Sequence, residues 1–278
     1  MLQIDLTGII RNRVKGWKNL LIPDALLHSL EKVIHQDELN ELLRVTYPKT
    51  GSDFAEALYE RLNLRMEVAG TENIPAAGRF IFASNHPLGG LDGIGIVKVL
   101  GGIYGDENIR VLVNDLLMHV EPLRTVFLPI NKYGSQGREA AANINKAYES
   151  DRQIVVFPAG LVSRLQTDGT VRDLEWQKSF VQKAIKYKRD IILMHFEGLN
   201  RPRFYQTARW RKRLGLKINI EQALLPAELC AAHDKTFRIS FMPPVSHTKL
   251  KQMAADGKSP AAIAEALRRM LYSPELDN

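Results

Sequence analysis

A histidine and an aspartate six residues apart, His86 and Asp92, bracket a stretch with almost no side chain, SNHPLGGLDGI over residues 84–94. Histidine exchanges its proton near neutral pH. A carboxylate on one ring nitrogen fixes the tautomer and leaves the other nitrogen to accept a proton. On a continuous helix, residues six apart point in different directions. A turn through Pro87, Gly89 and Gly90 instead folds the chain back and brings the carboxylate to the imidazole. Pro87 stiffens that turn, and the two glycines, lacking Cβ, allow a sharp bend and close approach of a ligand to main-chain amides. Ser84 and Asn85 add short polar groups beside it. The plainer alternative is that His86 is structural and Asp92 only caps the helix that follows.

A base of this kind needs something to deprotonate. No G-x-S-x-G elbow occurs, and the single cysteine, Cys230, lies in a different setting, PAELCAAH. The base therefore acts on a substrate hydroxyl. Acyl transfer from a thioester fits, with backbone donors stabilising the tetrahedral oxyanion and no metal required. No His/Asp/Glu grouping has metal-ligand spacing and no G-x4-GK[ST] loop is present, so neither a metal nor a resident cofactor is expected. His119, His195 and Glu197 read as structural. Arg164 reads as a ligand contact, because it follows a glycine turn at a strand end.

The elements that must position these groups are short. RFIFAS (79–84), IRVLVN (109–114), TVFLPI (125–130), QIVVFP (153–158), DIILMHF (190–196), KINIEQ (217–222) and TFRISFM (236–242) read as strands. Helical patterns lie between several of them, at LDGIGIVKVL (91–100), REAAANINKAYES (138–150), DLEWQKSFVQKAIKYK (173–188) and PAAIAEALRRMLY (260–272). The expected fold is α/β, with a mostly parallel, twisted central sheet of about seven strands flanked by helices. Ligands of such sheets gather at the strand C-terminal ends, where SNHPLGGLDG sits. Residues 1–65 read as an N-terminal helical segment, with helices at 24–34, 37–45 and 52–62, and residues 66–278 as the α/β domain. The first part, with Ile9, Ile10, Val14, Trp17, Leu20, Leu21 and Ile22 among scattered basic residues, suits either a membrane surface or packing on the domain.

NHPLGGLD resembles the NH-x4-D signature of glycerolipid acyltransferases, the lysophosphatidic-acid acyltransferase-like family. FPAG (157–160) resembles that family's FPEG block, and DIILMHFEG (190–198) its later strand block, especially in the branch known as hemolysin-like or as ornithine- and glycine-lipid acyltransferases. The likeness covers roughly residues 66–250, with the blocks in family order. It implies that His86 is the general base and Asp92 its orienting partner, that Asn85, Gly89 and Gly90 line the site, and that Phe157, Pro158, Ala159 and Gly160 bind the acceptor with Ser163 and Arg164 just beyond. Three departures stand out. The spacing is His-x5-Asp, one residue longer than the common form. The FPEG glutamate is replaced by Ala159. The second-motif arginine has no clean equivalent around PINKYG (129–134), where Lys132 or Arg138 is the substitute. These losses fall on the acceptor side and fit a lyso-lipid with an amino-acid headgroup, of glycine or ornithine type, with lysophosphatidate as the alternative acceptor. A non-enzymatic, hemolysin-like membrane protein is the alternative of another class.

The chain has 278 residues, 45% of them hydrophobic, enough for a sizeable core. One cysteine excludes an intramolecular disulfide and suits a reducing compartment. Neither a signal-peptide core nor an apolar run of about 18 residues is present. The expectation is a cytoplasmic protein bound peripherally to the inner face of the cell membrane. Net charge is +7, which bears on partners rather than on fold. The clearest basic cluster, RPRFYQTARWRKRLGLK (201–217), interleaves aromatics with Arg and Lys. It suits an anionic membrane surface and equally single-stranded nucleic acid, with nucleic acid set aside because only charge and this cluster speak for it; the plainer reading is a solvated basic face with its aromatics turned inward. The acyl donor is an acyl carrier protein or coenzyme A thioester.

Overall fold

The computed structural model describes residues 3–13, 23–130, 137–216 and 219–272. Lys132, Lys217 and the N-terminal run from Val14 to Ile22 lie outside them. Four helices come first, α1 (Leu6–Arg13), α2 (Asp24–Val33), α3 (Gln36–Thr46) and α4 (Gly51–Arg61). Strand β1 (Arg65–Ala69) and strand β2 (Phe80–Ser84) follow, then helix α5 (Gly90–Tyr104). After β3 (Ile109–Asn114) and β4 (Phe127–Ile130) come α6 (Gly137–Glu149) and β5 (Gln153–Val156). A small hairpin, β6 (Arg164–Leu165) with β7 (Val171–Arg172), leads to α7 (Ser179–Tyr187) and β8 (Asp190–Phe196). The chain closes with α8 (Pro202–Arg213), α9 (Leu225–Cys230), β9 (Thr236–Phe241), α10 (His247–Ala255) and α11 (Pro260–Leu271).

The main sheet has seven strands in the order β1-β9-β8-β2-β5-β3-β4. All neighbours are parallel except β8 and β9. The fold is thus α/β with a mostly parallel seven-stranded sheet. Every residue of β2 and of β5 is buried, the pattern of central strands covered on both faces. The period-two alternation then divides the core. Phe80 and Phe82 point to one face with Leu58, Tyr59, Ile96, Val97 and Met194. Ile81 and Ala83 point to the other with Phe180, Val181, Ala184, Ile263 and Leu267. Leu42, Leu43, Phe54 and Leu62 of the N-terminal helices and the turn after them belong to the first of these clusters.

Three readings of the sequence change. Residues 65–69 form an edge strand, missed because its outward positions, Arg65 and Glu67, are polar and only β9 pairs with it. Of the expected strand 217–222, residues 217–218 lie outside the described residues, while 220–222 belong to a 3-10 turn, Ile220–Leu224, wound so that Glu221 is fully buried. The helix expected over 173–188 begins only at Ser179, because Asp173 and Trp176 are drawn into hydrogen bonds at the strand ends.

Arg189, fully buried at the start of β8, shows how the opposite end of the sheet is closed. Its guanidinium donates to the carbonyls of Tyr148 (2.8 Å), Arg152 (2.8 Å) and Phe80 (3.3 Å), and to those of Ala147 and Ser150. A fixed cation there satisfies the terminal carbonyls of α6 and complements its dipole. Burial brings its pKa down to about 10, so it stays charged at neutral pH.

Candidate active site

Parallel register brings three chain exits together. Ala83 pairs with Val156, and Ser84 with Met194, so β2, β5 and β8 end side by side. The loop after β2 is therefore flanked by the loop after β5, which carries FPAG, and by the segment after Phe196. This is the C-terminal edge of the parallel block, where ligands of open α/β sheets bind.

His86 lies at the centre. Its Nδ1 is 3.1 Å from Oδ2 of Asp92, and its side chain keeps 17% of its exposure while Asp92 keeps none. Asp92 is the third residue of α5, and the same Oδ2 accepts the backbone N–H groups of Leu88 (2.9 Å) and Gly89 (3.2 Å), while Oδ1 accepts that of Gly93 (2.8 Å). The carboxylate both caps the helix and holds the imidazole, so the two roles coexist. Burial alone favours a neutral ring. The charge and hydrogen bond of Asp92, together with the charge of Asp173, outweigh burial and the opposing charge of Arg164, and hold the imidazole pKa above its ordinary value. Phe157 stacks on the ring, centroids 4.1 Å apart at 33°.

The glycines serve the loop in a specific way. Gly89 has φ +82° and ψ −85°, a conformation that only glycine adopts readily. A Cβ there would lie 2.8 Å from Leu225, and one at Gly90 3.2 Å from Leu229. Both glycines thus admit α9 against the loop. Gly160, with φ +65°, closes the FPAG turn by donating to the Phe157 carbonyl at 2.9 Å, and its Cβ position faces open space.

The other expected site residues are held by the scaffold. Asn85 donates to the Phe196 carbonyl at 2.9 Å and accepts its N–H at 2.7 Å, lacing β2 to β8. Pro158 and Ala159 are buried, and the Pro158 carbonyl accepts the Gln177 N–H. Ser163 donates its N–H to the His86 carbonyl at 2.7 Å and its hydroxyl to Asp173 at 2.6 Å. Arg164 is buried, pairs with Glu221 at 2.7 Å and lies over the Phe204 ring at 5.2 Å. Arg211 meets the other oxygen of Glu221 at 2.9 Å. Burial lowers the Arg164 pKa, the Glu221 carboxylate opposes this, and Arg211 adds to it. Arg138 is exposed on α6. Burial pushes the Cys230 thiol up to about 11, which leaves it a poor nucleophile. Among the described residues, no group of three or more His, Cys, Asp or Glu side chains is placed to hold a metal ion.

Three residues of the site escape a reading of the sequence. Asp173 accepts the His86 N–H at 3.1 Å, the Ser163 hydroxyl and the Trp176 indole N–H at 2.8 Å. Asn200 donates to the Pro87 carbonyl at 3.0 Å. Glu221 anchors Arg164. Only Asp173 left a trace, an acid three residues ahead of a tryptophan whose indole N–H needs an acceptor when buried.

A family model described as acyltransferase matches residues 18–272. A lyso-glycine lipid O-acyltransferase of Bacteroides thetaiotaomicron is 41% identical over 97% of this chain and 96% of its own. A protein of the same name from Phocaeicola vulgatus is 40% identical over 97% of this chain and 94% of its own. The crystal structure of the 1-acyl-sn-glycerophosphate acyltransferase PlsC from Thermotoga maritima aligns with a TM-score of 0.44 at 13% identity, over 90% of this chain and 85% of that one. With most of its length matched by the family model and by these two relatives, the chain belongs to the acyltransferase family.

Proposed function

We propose that this acyltransferase moves a fatty acyl group from a thioester to the hydroxyl of a lyso-glycine lipid, with His86 as general base and Asp92 as its orienting partner. The observation that carries the acceptor is the pair of lyso-glycine lipid O-acyltransferases to which nearly the whole chain is similar. Ala159 in place of an acidic residue fits an acceptor other than a glycerol phosphate. In the proposed step, Asp92 keeps the proton of the neutral ring on Nδ1, and Nε2 takes the acceptor's hydroxyl proton as that oxygen attacks the thioester carbonyl. The tetrahedral oxyanion forms beside the open FPAG turn. Collapse expels the thiolate, which recovers the proton from the imidazolium, leaving ester and thiol. All groups required are supplied by the chain and its two substrates, with acyl carrier protein or coenzyme A thioester as donor. A lipid acceptor fits a cytoplasmic enzyme bound peripherally to the inner face of an anionic membrane.

Incubating the purified protein with labelled acyl carrier protein or acyl-coenzyme A, against a panel of monoacylated lipids, tests the reading. Acylation of the lyso-glycine lipid is expected. Transfer to lysophosphatidate alone would overturn the acceptor, and no transfer from either donor would overturn the reaction.

A further inference from the structure

Helix α8 has two unlike faces. Phe204, Tyr205 and Ala208 are buried, and Arg211 turns inward to Glu221. Arg203, Gln206, Arg209, Trp210 and Arg213 form an exposed stripe at helical spacing. The helix carries five basic residues and no acidic one. At its end the surface turns apolar: Trp210 is 61% exposed, Leu214 67%, Leu216 46% and Ile220 45%. Arg213 lies over the Trp210 ring at 6.0 Å. Four large apolar side chains left in water beside a dense cationic band need a partner offering negative charge and an apolar layer together.

We propose that this outer face, from Arg203 to Leu214 with Leu216 and Ile220, seats the protein on an anionic bilayer. The proposal rests on the lipid-acyltransferase reading and names the surface on which that enzyme works. Cations belong in the headgroup layer, an amphipathic ring at its boundary, and leucine and isoleucine just below it. The helix supplies these groups in that combination.

The face is also fastened to the site. Asn200, just before α8, donates to the Pro87 carbonyl of the His86 loop. On the inner side, Arg211 and Arg164 share Glu221, and Arg164 follows Ser163, which bonds the His86 carbonyl. Seating α8 on the bilayer therefore fixes the catalytic loops relative to the lipid surface.

Vesicle flotation tests the assignment. The intact protein is expected to float with vesicles containing phosphatidylglycerol and not with pure phosphatidylcholine, and added salt should release it. The double variant Arg209→Glu/Arg213→Glu should bind at least about tenfold more weakly, given about 1 kcal/mol per basic residue near such a surface. Trp210→Ala/Leu214→Ser should also weaken binding, with unfolding temperatures unchanged because all four side chains are exposed. Both variants should acylate a short-chain, water-soluble acceptor normally and lose transfer to acceptor embedded in the anionic vesicles. Variants that float like the parent overturn the docking face, as does loss of acyl carrier protein binding with flotation intact. A parent protein that floats but transfers to no acceptor overturns the enzymatic reading and leaves the docking face standing.

Discussion

The carboxylate of Asp173 lies 3.1 Å from the backbone nitrogen of His86, across 87 residues of chain. The same oxygen takes the Ser163 hydroxyl, and the other takes the Trp176 indole. Asp173 thus ties the loop after β2 to the loop after β5 and fixes where the imidazole stands relative to the FPAG turn. Burial pushes its own pKa up, and those three hydrogen bonds and the charge of His86 oppose the rise. In the proposed mechanism it acts through His86, as a positioning residue.

Removing the base or its partner should cost activity without unfolding the chain. His86→Ala should lower kcat by about 10²–10⁴-fold, the usual worth of general-base catalysis. Asp92→Asn should lower it by a similar amount, since an amide neither carries the charge nor fixes the tautomer in the same way. Flotation with anionic vesicles should be unchanged in both, and steady-state assay beside flotation checks this pair of outcomes.

The pH profile should carry the sign of the His86 environment. In the proposed step the base works in its neutral form, so activity is expected to rise as pH passes upward through its pKa. With Asp92 and Asp173 holding that pKa up against burial and Arg164, the acid limb of kcat/KM should lie above the ordinary histidine value of 6.5. Asp92→Asn should move the limb to lower pH. Asp173→Asn should move it the same way by less, which a purely structural role would not do. Profiles of the three proteins, measured with a soluble acceptor, give the comparison.

Glu221 is a buried carboxylate between two arginines. Glu221→Leu should strand both cations and destabilise the fold by about 3–5 kcal/mol. Equilibrium denaturation reads this directly. A loss under about 1 kcal/mol would mean that the arginines reach water by another route.

Arg189→Met should cost about 3 kcal/mol or more, because several buried carbonyls lose their donor together. The effect belongs to stability alone. Arg189 sits at the end of the sheet opposite the site, so the folded fraction should keep its kcat.

Gly89→Ala meets two obstacles at once, a backbone conformation closed to side chains and the Leu225 side chain 2.8 Å from the new methyl. A loss of about 1–3 kcal/mol is expected, together with reduced activity. Combining it with Leu225→Ala should recover only part, since the φ penalty remains.

The local parts of this architecture were readable. The β2 strand, its glycine turn and α5 follow from a buried apolar run, two glycines and a helical pattern. The meeting of His86 and Asp92 needed only that turn. Phe157 reached His86 because β2 and β5 are adjacent and parallel. What escaped was long-range and polar. Asp173, Asn200 and Glu221 each have one partner 57 or more residues away, at His86, Pro87 and Arg164. A buried polar residue committed to such a contact looks like any surface residue until the fold exists. Arg164 has such a partner too. Its position after a glycine turn suggests a ligand contact, and its pairing with a carboxylate of the Ile220–Leu224 turn could not be read from the sequence. The residues around KINIEQ misled for the same reason, since an alternating pattern was overridden by the burial of Glu221.

The contact between Gly89 and Leu225 sets an order of events during synthesis. The bend that aligns the dyad is walled by a helix made more than a hundred residues later, so a nascent chain halted before α9 lacks one side of the mould. Until that helix docks, the bend between His86 and Asp92 lacks this wall. In the proposed reaction, a polypeptide ending short of α9 is therefore expected to be inactive.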